Sequence, residues 1–289
     1  MNKFKQVVIL EKIATAKPLI LQLSKYSKGK IKYFDTPAKN DNDIIKRIGD
    51  ADCVLVTWAS KISANVINNT KLKYIGLCAT LYKGKNSNID LTAAESKRII
   101  VKGISDYGDF GTVEFITSEV IRYFKDNGNR ELKNKNIGII GMDKVGTKVF
   151  KALNFFDANV YYYNHTRRKN LEKKGLHYLS KDKLLKNVEA LVLCVPRNAA
   201  VLNKRHFTNL KANFLINVSM GTPFTIKDFN SCIKKPGKFA TFDQIGAGNV
   251  RPRKNIRVTD YVSGFTEEAK VRQVNKVEEN IISFFNKYV

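Results

Sequence analysis

The stretch from Asn136 to Phe150, NIGIIGMDKVGTKVF, constrains the fold more than any other part of the chain. It opens with a short apolar run, turns at Gly141, and continues with Val145, Val149 and Phe150 at helical spacing. A buried strand that feeds a helix through one tight turn belongs in a parallel sheet, because the helix returns to cover a face of that sheet. The glycines at 141 and 146 occupy the first and third places of the frame G-x-G-x-x-G, and Asp143 occupies the second.

The same alternation runs through the rest of the chain. QVVIL, IKYF, CVLVTW, KYIGLCA and RIIVKG read as strands, with helices expected around 15–27, 40–49, 61–69 and 90–97. A longer amphipathic helix is expected over 110–126, ended by Gly128 and its asparagine neighbours. A second series follows: NIGIIG, ANVYYYN, EALVLCVP, NFLINVS and KFATFD as strands, with helices starting near Gly146, Lys169, Lys181, Asn203 and Thr225. The last 20 or so residues (on the order of five turns) form a helix with an acidic start. The fold class expected is α/β, with two Rossmann-like or flavodoxin-like lobes, parallel sheets and a cleft between them. One lobe is residues 1–104 completed by a helix over 265–289; the other is 105–264.

Composition excludes several classes. No run of about 18 apolar residues is present, so no membrane span is expected. The N-terminal apolar run is too short for a secretory signal. Cys53, Cys78, Cys194 and Cys232 form no C-x-x-C pair and have no histidines at metal-ligand spacing, so no metal site is expected. Reduced thiols in a cytoplasmic protein are the expectation. The net charge of +25 is spread along the whole chain and accompanies no nucleic-acid-binding motif. Specific nucleic-acid binding is not expected; attraction of small anionic ligands is.

The order of motifs resembles the D-isomer-specific 2-hydroxyacid dehydrogenase family. The resemblance is carried by KLKYIGLCATLYKGKNSNIDLTAAESKRIIV, GDFGTVEFITSEVIRYF, GIIGMDKVG, ALVLCVPRN, FLINVSMG, TFDQIG and TDYVSGFTEEA. It implies that residues 1–104 with 265–289 are a flavodoxin-like substrate lobe and that 105–264 are a Rossmann lobe binding a nicotinamide dinucleotide. It also implies cofactor contacts at Val195, Pro196, Arg197, Val218, Met220 and Asp243. Set against the family pattern, the substrate-binding arginine is Met220, the catalytic histidine is Tyr261, and the glutamate that pairs with it falls near Ala247 and Gly248. Methionine cannot make the forked, charge-assisted bonds that arginine offers a carboxylate. Loss of a positioned acid–base group typically costs on the order of 10² to 10⁴ in rate. The family's ordinary reaction is therefore not expected.

In the loop itself, Gly141 permits the turn and Gly146 lets helix pack on strand, with Lys144 and Val145 between. Asp143 brings a charge where a pyrophosphate would approach. At about 4 Å that opposes a phosphate by roughly 4 kcal/mol at an effective dielectric near 20. Two readings stay open: the carboxylate faces the phosphates, or it turns away and caps the helix. The end of the next strand reads Asn164, His165, Thr166, Arg167, Arg168, where an NAD-specific site would carry an acid for the ribose. Loss of the acid and gain of arginine favour NADP(H) over NAD(H); the alternative is a solvated basic turn.

Catalytic candidates are Tyr261, as a phenolic proton donor, and Asp106 with Tyr107, in the loop entering the long helix. The alternatives are a tyrosine filling space, and turn chemistry with a helix cap. Lys83, Lys85 and Arg197 are candidates for holding an anionic substrate. The function expected is an NAD(P)-dependent oxidoreductase acting on a carbonyl or hydroxy small molecule through a non-standard site. The alternative is an inactive nucleotide-sensing or scaffold protein, with no cofactor in the scaffold case. Only KDNGNRELKNKN separates the long helix from the glycine-loop strand, so a homodimer through the nucleotide-binding lobe stays open.

Overall fold

In the computed structural model, which describes residues 2–82, 87–197 and 199–288, the apolar runs become strands of two separate parallel sheets. Contacts divide the chain into one unit of Met1–Tyr107 with Glu267–Val289 and a second of Gly108–Thr266.

The first unit runs β1 (Val7–Ile9), α1 (Ala16–Leu23), β2 (Lys32–Tyr33), α2 (Asp41–Ile48), β3 (Cys53–Val56), α3 (Ala64–Asn68), β4 (Tyr74–Leu77), α4 (Leu91–Ser96) and β5 (Ile100–Gly103). Its sheet order is β2-β1-β3-β4-β5, and every pairing is parallel. Side chains of Asn40, Ser63 and Asp90 cap the starts of α2, α3 and α4 by accepting from a backbone N–H of the first turn. One face of the sheet is completed from the far end of the sequence. The last helix, α11 (Glu267–Tyr288), brings Val274, Val277, Ile281 and Phe284 into the core with Phe4, Val7, Ile9 and Leu19. Phe284 stacks on Phe4 at 5.2 Å between centroids.

The second unit opens with α5 (Asp109–Asp126), then β6 (Asn136–Ile140), α6 (Lys144–Phe155), β7 (Asn159–Tyr163), α7 (Lys169–Glu172), β8 (His177–Tyr178) and α8 (Lys181–Asn187). It continues with β9 (Ala190–Leu193), α9 (Lys204–Asn209), β10 (Phe214–Asn217), α10 (Ile226–Ile233), β11 (Phe239–Phe242) and β12 (Ile256–Val258). Seven parallel strands lie in the order β12-β11-β10-β9-β6-β7-β8. One face buries Phe115, Ile116, Val120 and Phe124 of α5 with Val149, Phe150 and Leu153 of α6. The other buries Leu184, Leu185, Phe207 and Phe229. Each such side chain removed from water stabilises the fold by about 1.5–3 kcal/mol.

Three local expectations differ from what forms. Strands β8 and β12 are short edge pieces, HY and IRV, with too little apolar character to show as strands in the sequence. Helix α6 starts at Lys144 rather than near Gly146. The entry to α5 is not capped by an acid: Gly108 is its N-cap, with no side-chain hydrogen bond. A Cβ there would lie 2.3 Å from the Gly264 carbonyl oxygen, so close backbone approach sets that residue.

Candidate functional site

In the second unit the strand order reverses between β6 and β9. In open parallel sheets that switch point, at the carboxyl ends of the strands, is where ligands bind. The loops there contain most of the residues singled out from the sequence.

Sterics fix the glycine loop. Gly141 has φ of +96°, and a Cβ on it would lie 2.2 Å from the Cys194 carbonyl oxygen at the end of β9. A Cβ on Gly146 would lie 2.2 Å from the Gly141 carbonyl oxygen. No other residue fits either place, so the turn and the approach of α6 to β6 are both preserved. Met142 is fully buried beneath the loop, while Asp143 and Lys144 are exposed and Val145 is half-buried.

Of the two courses left open by the sequence, capping of the helix by the side chain is not the one Asp143 takes. It stands at the N-cap of α6 but makes no side-chain cap bond. Its carboxylate instead accepts from the Arg168 guanidinium, whose Nε also donates to the Met142 carbonyl at 3.0 Å. The loop's added negative charge is therefore met by a cation from the end of the neighbouring strand. The pair is solvent-facing, with Arg168 36% and Asp143 69% exposed, and such pairs are worth about 0–1 kcal/mol. A phosphate that could accept from the same guanidinium competes on good terms, since hydrogen bonds to charged groups contribute roughly 1.5–3 kcal/mol.

The two arginines, equivalent in the sequence, have different surroundings. Arg167 forms an ion pair with Glu172 and lies over the Tyr178 ring, 4.7 Å from its centroid. The Tyr162 hydroxyl donates to Glu172 at 2.7 Å and accepts from the Arg168 backbone N–H at 2.6 Å. Glu172 is held below the usual carboxylate range first by the Arg167 guanidinium and then by that hydroxyl. Burial pushes the Tyr162 phenol up. Asn164 accepts from the Met142 N–H at 3.2 Å and donates to the Thr166 carbonyl at 3.0 Å, so its side chain ties the strand end to the glycine loop. His165 and Thr166 are exposed, and His165 sits edge-on to Tyr163.

The remaining loops are tied together by buried polar residues that the sequence reading passed over. Ser219 Oγ accepts from the Val195 N–H at 3.1 Å. Asn217, fully buried, accepts from the Ser219 N–H and donates to the carbonyls of Gly221 and Gly246. Asp243 accepts from the Gly246 N–H at 2.7 Å, the Ser263 N–H at 2.9 Å and the Ser263 hydroxyl at 2.7 Å. It was expected at the cofactor, but both its oxygens are engaged within the protein and it is 3% exposed. The signal available was a polar residue closing an otherwise apolar strand, as Asn217 closes FLIN. Val218, Met220 and Arg197 are half-buried, and Pro196 is exposed.

Tyr261 lies on the loop after β12. Its carbonyl accepts from the Gln244 N–H and the Thr259 hydroxyl, and its ring, 51% exposed, packs edge-on against Phe115 at 6.1 Å. Ala247 is buried and Gly248 has φ of +51°, so no carboxylate stands there. Asp106 and Tyr107 belong to the first unit. Asp106 has φ of +64° and accepts from Ser105 Oγ, and the Tyr107 carbonyl accepts from Arg272 Nε. Lys83 and Lys85 lie outside the described residues. Among the described residues no group of His, Cys, Asp and Glu could hold a metal ion, and no helix is long and apolar enough to cross a membrane. Cys53, Cys78 and Cys232 are buried; burial pushes the Cys78 and Cys194 thiols up to about 12.

Residues 117–241 match the model of the D-isomer specific 2-hydroxyacid dehydrogenase NAD-binding domain. A hydroxypyruvate reductase of Blautia hydrogenotrophica is 23% identical, with 88% of this chain and 88% of that protein covered. A glyoxylate reductase of Thermococcus litoralis is 28% identical, over 83% of this chain and 82% of its own length. Among solved structures, an acyclic imino acid reductase in complex with NADPH and D-Arg superposes with a TM-score of 0.78 at 21% identity, covering 98% of this chain and 97% of that one. Strand order, glycine loop and these matches together give the chain the fold of the D-isomer specific 2-hydroxyacid dehydrogenases, with its second unit similar to their NAD-binding domain.

Proposed function

We propose that the protein is an oxidoreductase that prefers NADP(H) and acts on a carbonyl or hydroxyl group of a small molecule held without the family's arginine. The observation that carries this reading is the Arg168–Asp143 pair. It offsets the charge of Asp143 beside a pyrophosphate for as long as the two side chains stay paired, and Gly141 and Gly146 keep the cradle that a Cβ would fill. Residues 141–146 would hold the pyrophosphate side of the dinucleotide. Asn164 to Arg168, with no carboxylate for a ribose 2′-hydroxyl and a cation in Arg168, suit a 2′-phosphate. A bound nicotinamide supplies or accepts the hydride.

The chain's own part is then to place the substrate and move a proton. Tyr261 is the residue we assign to the proton. A phenol donates to a carbonyl oxygen that gains negative charge, and this one is exposed on a loop at the carboxyl edge of the sheet. Met220, at the family's arginine position, offers a substrate apolar contact and no charge. Substrates without a 2-carboxylate, or with one bound elsewhere, are favoured over simple 2-keto acids.

Thermal unfolding with NADPH, with NADH and without ligand tests the cofactor. At 100 times its dissociation constant a ligand stabilises the fold by about 2.7 kcal/mol. NADPH is expected to reach that shift at a lower concentration than NADH. No shift with either nucleotide would remove the reading. Oxidation of NADPH followed at 340 nm over a panel of aldehydes, ketones and imines tests the reaction. Tyr261→Phe is expected to lower its rate about a hundredfold or more; an unchanged rate would move the proton to another group.

A further inference from the structure

The geometry points to Asp143 and Arg168 acting as one charge switch, in which Asp143 sets the cofactor preference by competing with a 2′-phosphate for the Arg168 guanidinium. The inference rests on the dinucleotide reading above and adds to it an opponent within the protein.

Arg168 holds two partners, the Met142 carbonyl through Nε and the Asp143 carboxylate through Nη2. The first fixes the base of the guanidinium against the loop. The second engages Nη2, one of the two terminal nitrogens that a phosphate from solvent would bridge. Arg167 does not substitute, because Glu172 and the Tyr178 ring hold it, and the Tyr162 hydroxyl fastens Glu172 in turn. Asn164, its amide used by Met142 and Thr166, adds no charge. Among the described residues, therefore, the anion that competes for the end of Arg168 is Asp143. The pair is exposed, so it opens without loss of core packing.

The consequences separate the two nucleotides. NADH needs Asp143 neutralised but takes nothing from Arg168 beyond that. NADPH needs the guanidinium itself. When Arg168 turns to a 2′-phosphate, Asp143 is left uncompensated beside the pyrophosphate, with exposed Lys144 next to it in sequence. Each partner thus limits what the other can offer a ligand.

Isothermal titration of NADPH and NADH into the wild type, Asp143→Asn, Arg168→Gln and the double variant tests the switch. Both positions are at the surface, and thermal melts without ligand establish that each variant folds. In Asp143→Asn, NADPH is expected to bind about tenfold tighter and NADH to change by less than about threefold. In Arg168→Gln, both nucleotides weaken by about tenfold or more, NADH because Asp143 is unmasked. The double variant returns NADH to within about threefold of the wild type and leaves NADPH weak, a coupling that independent sites would not show. Equal changes for the two nucleotides in Asp143→Asn, or NADH binding unaltered by Arg168→Gln, would overturn the switch and leave the dinucleotide reading standing. Absence of binding in the wild type and all three variants would overturn both.

Discussion

At the scale of single residues, Gly141 and Gly221 show that a positive φ and a crowded Cβ are separate demands. Gly221 has φ of +90° with nothing within 4 Å of an added Cβ, whereas Gly141 has φ of +96° and a carbonyl oxygen at 2.2 Å. Gly221→Ala is expected to lower unfolding free energy by about 1–3 kcal/mol, the cost of backbone strain. Gly141→Ala is expected to cost more, about 4 kcal/mol or beyond, because β6 and β9 must also move apart. Urea unfolding of the two variants checks the order; equal costs would mean that the β6–β9 approach is slack. Gly141 and Gly146 were legible in the sequence because sterics leave a signature in residue type. The fate of Asp143 was not. Its neighbour Arg168 was identified, but as a cofactor ligand, and nothing in the spacing of 143 and 168 shows that the two side chains meet.

At the scale of elements, the turn from β7 into α7 is held by a side-chain network more than by apolar packing, since α7 has no buried residue. Glu172 anchors it between Arg167 and Tyr162. Its carboxyl is held below the ordinary 4.5, so it binds fewer protons in the folded state than in the unfolded one. The stabilisation is full above that ordinary value and is lost as pH falls through the lowered one. Glu172→Gln is expected to be less stable than the wild type at neutral pH and equal to it in strong acid, by urea titration at a series of pH values. A difference that persists in acid would mean that the glutamine loses packing rather than charge. The main strands and helices could be read from periodicity, because each buries a face. The edge strands β8 and β12 could not, having little face to bury, and the cap of α5 at Gly108 is set by a backbone contact that the spacing does not show. The partners of Asn217, Ser219 and Ser263 could not be read for a related reason, although a polar residue closing an apolar strand marks the position of Asn217. A buried polar residue is explained by partners that are distant in sequence.

At the scale of the whole molecule, charge is the unbalanced quantity, with 51 lysines and arginines against 26 acidic residues. Such an excess repels itself in the compact state. Raising salt from about 0.01 M to about 0.1 M shortens the screening length from about 30 Å to about 10 Å. The thermal midpoint is expected to rise over that range, and a fall would show that surface ion pairs such as Lys71–Asp50, Lys133–Asp157 and Arg205–Asp182 outweigh the repulsion. The order in which the chain is made bears on the first unit in another way. Phe4 lies on Phe284, and the sheet that begins at Val7 is covered by a helix that ends at Tyr288. During synthesis the second unit, a single continuous segment, emerges whole while the first still lacks a wall. Nascent β1, β3 and β4 must wait with one apolar face uncovered until α11 has been made, and that interval is when a holding chaperone would find its target.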